Sequence, residues 1–382
     1  MHTFFLTCVA LCIGIGQLGR FTLPSGISFY VLESVIVAHS IYILWANRES
    51  VRTWKAGTLS RIALLWFGYV ALLWVLTYSS YTHRENITAL LYIVRVAALA
   101  TYGYLLARAH INFRQLEKSL DILTLAVALV CLVQYFILPD LRFLLAYGWD
   151  PHMYRAVGTI LDPPLVGSIL GISLLYQWKK GNVWGIGLIT LAIALLFSRS
   201  TYIAVMVTMA FYGLANRKWV GLTQWVFAFA LVVYLAPYTI PARVDLESAK
   251  ITRTSTVMSR SVELKEGIHA WMSSPVFGIG YNRVGAYKAD HPTYERTEVS
   301  NHARSAFHSF WLTQLATTGI VGFSLMGAWI YRFLKVNLAM GYVFAVPAII
   351  GLFDNVLFHP LVAVMAIVIA ALIKHKQFFT QS

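Results

Sequence analysis

Hydrophobic residues come in runs of roughly 15–23, broken by short polar stretches. The runs fall at about 3–19, 26–46, 62–79, 87–107, 120–138, 164–178, 183–197, 201–216, 219–237, 309–331, 338–353 and 356–374. Runs of that length and polarity are those that cross a hydrocarbon core as helices. The pattern predicts an all-α polytopic membrane protein with about twelve transmembrane helices. The first run has no positive n-region and no small-residue cleavage site in Met1 to Gln17, so it is expected to stay as a helix.

The polar stretches test that count. With the N-terminus inside, alternate loops carry fifteen Lys and Arg, from Arg48 and Arg61 through Lys179-Lys180 and Arg217-Lys218 to Lys374 and Lys376. The short loops opposite hold five: Arg20, Arg84, Arg142, Arg155 and Arg199. This asymmetry follows the positive-inside rule and predicts both termini on the cytoplasmic side of the membrane. The chain then divides into spans one to nine over 1–237, an external loop over 238–308, and spans ten to twelve with a tail over 309–382. The first and second halves show no repeat, which counts against a repeat-built transporter.

Residues 183–216 are broken only by Ser198-Arg199-Ser200, and basic pairs flank them on both sides. Two crossings are needed, and each helix of about 15 residues reaches only ~22 Å against a ~30 Å core. The turn carrying Arg199 is expected to sit recessed, where an arginine needs a cavity, water or an anion.

Composition sharpens this picture. Of 382 residues, 58% are hydrophobic and 12% charged, with a net charge of +14. That excludes a disordered chain and argues against a soluble nucleic-acid binder. Divided by side, the charge is about +13 on cytoplasmic loops, −2 in the spans and last external turn, and +3 outside. The basic excess is a topology signal, so no nucleic-acid partner is expected. Cys8, Cys12 and Cys131 lie in apolar runs and offer no external disulfide framework.

The external loop, of about 70 residues, holds the candidate chemistry. Val257 to Met272 places Leu264, Ile268 and Trp271 at helical spacing, which predicts an amphipathic helix at the membrane interface. Arg260 is near its start, either a diphosphate ligand or a surface charge paired with Glu263 or Glu266. Pro275, Gly278 and Gly280 then signal a helix stop and a tight turn. His308 stands where span ten begins, and Gly319 and Gly322 read as a close-packing pair on one face of that span. His269, His291 and His302 read as solvated loop residues. Arg95, in the middle of span four, is either functional or paired with Glu33 or Asp121.

On these residues the chain resembles the O-antigen ligase and O-antigen polymerase family of bacterial membrane glycosyltransferases. The family's His, then Asn, Ser or Gln, nine residues, Gly, two residues and a further Gly, Thr or Tyr are met by His308, Ser309, Gly319 and Gly322. Its other features are matched by Ser198-Arg199, by Arg260, Trp271, Pro275, Gly278 and Gly280, and by Arg155, Gly158, Asp162 and Pro163. Ser309 where Asn is commoner, and Pro164 where Asn often stands, bear on sub-family.

The resemblance implies transfer of a glycan from an undecaprenyl (polyprenyl) diphosphate carrier to a glycan or lipid-linked sugar acceptor, outside the bacterial cytoplasmic (inner) membrane. Arg199, Arg260 and Arg155 would bind the diphosphate, with Arg199 and Arg260 counted among the catalytic residues. His308 would accept or orient the acceptor's proton. No Asp-x-Asp pair stands in an external loop, so metal-independent chemistry with no cofactor is expected. Membrane lipids are the other expected partner, and a lipid-linked oligosaccharide flippase or polysaccharide transporter is the alternative.

Overall fold

The computed structural model describes residues 1–22, 28–51, 57–109, 113–241, 255–291, 306–336 and 338–376. His302 and the stretches 242–254 and 292–305 of the expected external loop lie outside the described residues, as do Arg52 and Lys55. Among the described residues the architecture is all-α but for one short hairpin. α1 (His2–Ile15) is followed by β1 (Arg20–Thr22) and β2 (Ser28–Tyr30), then α2 (Val31–Ala46), the single turn α3 (Arg48–Val51), α4 (Thr58–Leu76), α5 (His83–Leu106) and α6 (Phe113–Ile137). α7 (Pro163–Lys180), α8 (Val183–Ala194), α9 (Arg199–Ala215) and α10 (Trp219–Leu235) complete the first part. α11 (Ser255–Ser273) and α12 (Val284–Asp290) fall in the expected loop, ahead of α13 (Phe310–Val336), α14 (Leu338–Ile350) and α15 (Pro360–Lys376).

Each of the twelve apolar runs is thus a helix over most of its length. Among the described residues, five helical segments are long and apolar enough to cross a membrane: His2–Gly19, Thr58–Leu76, His83–Leu106, Arg114–Ile137 and Trp219–Thr239. Their outward faces are apolar, as at Leu64, Leu65, Leu72 and Leu76 of α4, which suits lipid rather than water. The chain is a multi-pass membrane protein.

α7 is the axis of the core, buried almost continuously from Leu165 to Gln177. Its start is written in Asp162, whose side chain accepts from the Leu165 N–H at 3.4 Å, and in Pro163 at the first helical position. Its end is Gly181, left-handed at φ 69°. Small residues let neighbours close on it. A Cβ at Gly167 would collide with Thr201 of α9, and one at Gly171 would lie 2.6 Å from Val346 of α14.

Several boundaries differ from the pattern-based expectation. The second run opens as strand β2, paired antiparallel with β1 from Arg20↔Tyr30 to Thr22↔Ser28. α2 begins only at Val31, where the Glu33 side chain accepts from the Tyr30 N–H at 2.8 Å in a capping box. The last run begins its helix at Pro360 instead of 356, because residues 351–359 form a turn that holds Asp354.

α13 carries the largest departure. Gly319 has φ 60° and ψ −173°, so the helix breaks there. A break strands backbone groups, and buried ones must find partners. The segment after α11 supplies them: Ile279 and Gly280 N–H donate to Ala316 and Thr317 C=O at 3.0 and 3.1 Å. In return Ile320 and Val321 N–H donate to Pro275 and Val276 C=O at 3.0 and 3.3 Å. The two backbones meet where both are glycine: a Cβ on Gly278 would lie 2.5 Å from the Gly319 nitrogen, and one on Gly319 would enter the Val276 carbonyl. Gly319 and Gly322 are therefore not an equivalent pair on one face. Gly319 makes the break, while a Cβ on Gly322 would lie 2.6 Å from the Tyr69 ring.

α11 forms where the amphipathic pattern placed it. Gly267 and Ala270 turn inward, with Gly267 against Leu312 of α13. Leu264, Ile268 and Met272 stay exposed as an i, i+4, i+8 stripe, and Trp271 is half-buried.

Candidate active site

The Gly319 break fixes the end of α11 against α13, and so sets where Arg260, Glu263 and His308 stand. His308 stands two residues before α13, whose first turn is pinned to the end of α14. Phe310 N–H donates to Gly351 C=O at 2.9 Å, and Trp311 Nε1 to Ala348 C=O at 2.9 Å. The turn between α14 and α15 therefore lies beside His308, and it carries Asp354.

Asp354 is buried, 8% exposed, and gathers two other elements. Its Oδ1 accepts from Arg260 Nη2 of α11 at 2.9 Å. Its Oδ2 accepts from Ser200 Oγ of α9 at 3.0 Å. Burial pushes the Asp354 carboxyl above its usual range even with Arg260 and His308 acting against it. Arg260 thus does not pair with Glu263 along its own helix.

Glu263 faces His308 instead. Its Oε2 accepts from the His308 N–H at 2.9 Å and pairs with His308 Nδ1, while Lys288 Nζ lies 3.5 Å from Oε1. The Glu263 bond raises the His308 imidazole above its ordinary value, against an opposing effect of burial. Burial pushes Glu263 up, but the His308 bond and charge and Lys288 outweigh it and hold the carboxyl low.

Arg199 opens α9, half-buried, in the turn between α8 and α9. α8 has 12 residues, so it is about 18 Å long, well short of a ~30 Å core. Ser198 and Ser200 are 5% and 3% exposed, and Thr201 Oγ1 donates to Ser198 Oγ at 2.9 Å. Arg155, itself buried, reaches across to this turn: its Nη2 donates to Phe197 C=O at 2.7 Å, and Ala156 N–H donates to Leu195 C=O at 3.0 Å. Phe197 needs such support, because its φ of 48° is costly without it. The rest of that motif is structural too. Gly158, at φ 54°, sits against Cys131, and Asp162 caps α7.

The turn carrying Arg199, through Ser200, is thus brought into one neighbourhood with Arg260 and His308, and Arg155 lies behind that turn. The sequence pattern offers Glu263 only as an alternative partner for Arg260 and does not point to Asp354 or Lys288. The other candidates fall elsewhere. Arg95 pairs with Glu33 at 2.5 Å and donates to Ser28 C=O at 2.6 Å, whereas Asp121 pairs with Lys180. His269 Nδ1 lies 2.6 Å from Tyr287 Oη, and His291 stacks on the Tyr287 ring at 4.3 Å. Cys8, Cys12 and Cys131 are free thiols, the last two buried.

Residues 184–327 match the family model described as O-antigen ligase. That stretch takes in Arg199, Arg260, Glu263, Lys288, His308 and both motif glycines of α13, and stops before Asp354. Over 236 residues the chain is 25% identical to the exopolysaccharide production protein ExoQ of Rhizobium meliloti (strain 1021). That alignment covers 55% of this chain, and the chain spans about half, 53%, of the relative's length. With the motif residues and the match over 184–327 agreeing, the chain resembles the O-antigen ligase and polymerase family.

Proposed function

We propose that this protein is a glycosyltransferase of surface-polysaccharide synthesis. It transfers or polymerises a glycan from an undecaprenyl-diphosphate-linked donor onto an acceptor sugar, at the outer face of the cytoplasmic membrane. In this reading all twelve helices cross the membrane, both termini are cytoplasmic, and α11 lies at the outer interface with its apolar stripe toward lipid.

The observation that carries the reading is the convergence of Arg260, His308 and the Arg199 turn, three elements distant in sequence, around the Asp354 carboxylate. The donor's diphosphate gains negative charge as its bond to the sugar breaks. Guanidiniums fixed in a poorly solvated site stabilise that charge without reorganising. Arg199 and Arg260 take this role, and Arg155 serves by holding the Arg199 turn through Phe197. His308 accepts the proton of the attacking hydroxyl. With positive charge supplied by arginine, the reaction proceeds without a metal.

The test is release of polyprenyl diphosphate by the purified protein, given a polyprenyl-diphosphate glycan and a sugar acceptor, in the presence of EDTA. H308A and R260A are expected to abolish release. Full activity in both variants would overturn the site, and strict dependence on added metal would overturn the mechanism.

A further inference from the structure

Glu263 is one turn along α11 from Arg260, yet its contacts run to His308 and Lys288. The side chains of Glu263 and Lys288 are 13% and 4% exposed, while that of His308 is 38% exposed. The imidazole is therefore anchored at its Nδ1 edge. Among the described residues its Nε2 has no hydrogen-bond partner. A histidine that donates from Nδ1 to a carboxylate presents Nε2 as a lone-pair acceptor, so the partner at one nitrogen sets the chemistry of the other.

Lys288 completes the arrangement. Besides approaching Glu263, its Nζ donates to Ala306 C=O at 2.9 Å, two residues before His308. Thr313 Oγ1 closes the same stretch by donating to Phe307 C=O at 3.2 Å. Ring and backbone of His308 are thus held by α11, α12 and α13 together.

We infer that Glu263 is the positioning residue of His308, fixing the tautomer that leaves Nε2 to take the acceptor's proton, with Lys288 holding Glu263 in place. This rests on the glycosyl-transfer reading above. In the step, the acceptor oxygen forms its bond to the anomeric carbon while the bond from that carbon to the diphosphate oxygen breaks. The electron pair leaves on the diphosphate and the hydroxyl proton passes to Nε2. The imidazolium so formed lies against the Glu263 carboxylate, which stabilises it.

The experiment uses the full chain in lipid nanodiscs with diethyl pyrocarbonate, which modifies an imidazole only in its neutral form. Modification of the His308 peptide is followed by mass spectrometry across pH. The charged groups around His308 are Glu263 and Arg260 from α11, Lys288 from α12, and Asp354 from the α14–α15 turn. In the unaltered protein the midpoint lies above the ordinary histidine value of about 6.5. In E263Q it is expected to fall by about one pH unit, because the amide still accepts a hydrogen bond but carries no charge. Turnover in E263Q should fall about 100-fold in kcat with the donor KM little changed, and its pH profile should move the same way.

An unmoved midpoint in E263Q overturns the assignment, even if the variant is less stable, since a merely structural role predicts that result. A moved midpoint with normal kcat overturns it as well. If H308A itself turns over at full rate, the transferase site fails while the Glu263–His308 linkage still shows in the midpoint, so the two failures are distinguishable. Should E263Q not fold, E263D is read in the same assays. Its shorter carboxylate withdraws from Nδ1 and lowers both midpoint and kcat.

Discussion

Arg260 and Asp354, 94 residues apart, form an ion pair at 2.9 Å, and the same carboxylate holds Ser200 at 3.0 Å. One acidic side chain thus ties α9, α11 and the α14–α15 turn together. D354A should leave Arg260 without its partner and loosen the first turn of α9. A double-mutant cycle with R260A, read by reversible unfolding in detergent, should give a coupling energy of about 1–3 kcal/mol. Additive single effects would show that the pair carries no energy.

The exchange of backbone hydrogen bonds at Gly319 should tolerate no side chain. G278A and G319A each place a Cβ against backbone atoms, at residues with φ of +78° and +60°. Each should cost about 3 kcal/mol or more and lower yield and thermal stability sharply. G327A, also in α13, meets nothing within 4 Å and should be neutral or slightly stabilising. Equal melting temperatures for G278A and G327A would contradict the described contact.

Arg95 and Glu33 form a mostly buried pair, with side chains 12% and 15% exposed. Removing one partner strands a charge, so E33A should destabilise by about 3–5 kcal/mol. Replacing both by methionine should recover most of that loss. Turnover per folded molecule should stay near normal in the double variant. A loss of activity without a loss of stability would assign Arg95 a direct role.

The proposed twelve crossings make a clear forecast for labelling. In intact cells, R84C in the first turn of α5 should react with a membrane-impermeant maleimide, while K218C between α9 and α10 should react only after permeabilisation. Labelling of K218C from outside would overturn the proposed threading.

The helices were legible because apolar run length and flanking basic residues carry the signal locally. Every run is a helix, and misplaced edges trace to particular residues. Glu33 caps α2 at Tyr30, and Pro360 starts α15 after the Asp354 turn. The candidate site is legible in its motif residues: Arg199 interrupts an apolar run, His308 stands at the start of one, and Arg260 stands near the start of the amphipathic segment. Its carboxylates are not. Glu263 reads as an ordinary i+3 partner of Arg260, and Asp354 as one charge in a short turn. Packing of α11 on α13 brings Glu263 to the histidine, and the approach of α14 to the start of α13, through Gly351 and Phe310, brings Asp354 to the arginine. Likewise, helical spacing places Gly319 and Gly322 on one face, because a period has no means of recording a break repaired from residues 275–280.

That repair has a consequence for how the protein is made. Residues 275–280 leave the ribosome before 316–321, so α13 is synthesised with its complement already translated. Until the two meet, the Ala316 and Thr317 carbonyls can pair only with the Ile320 and Val321 N–H groups of their own helix, as in an unbroken α13. The break at Gly319 is therefore exchanged in as residues 275–280 dock, and the histidine between the two segments is positioned as part of that event.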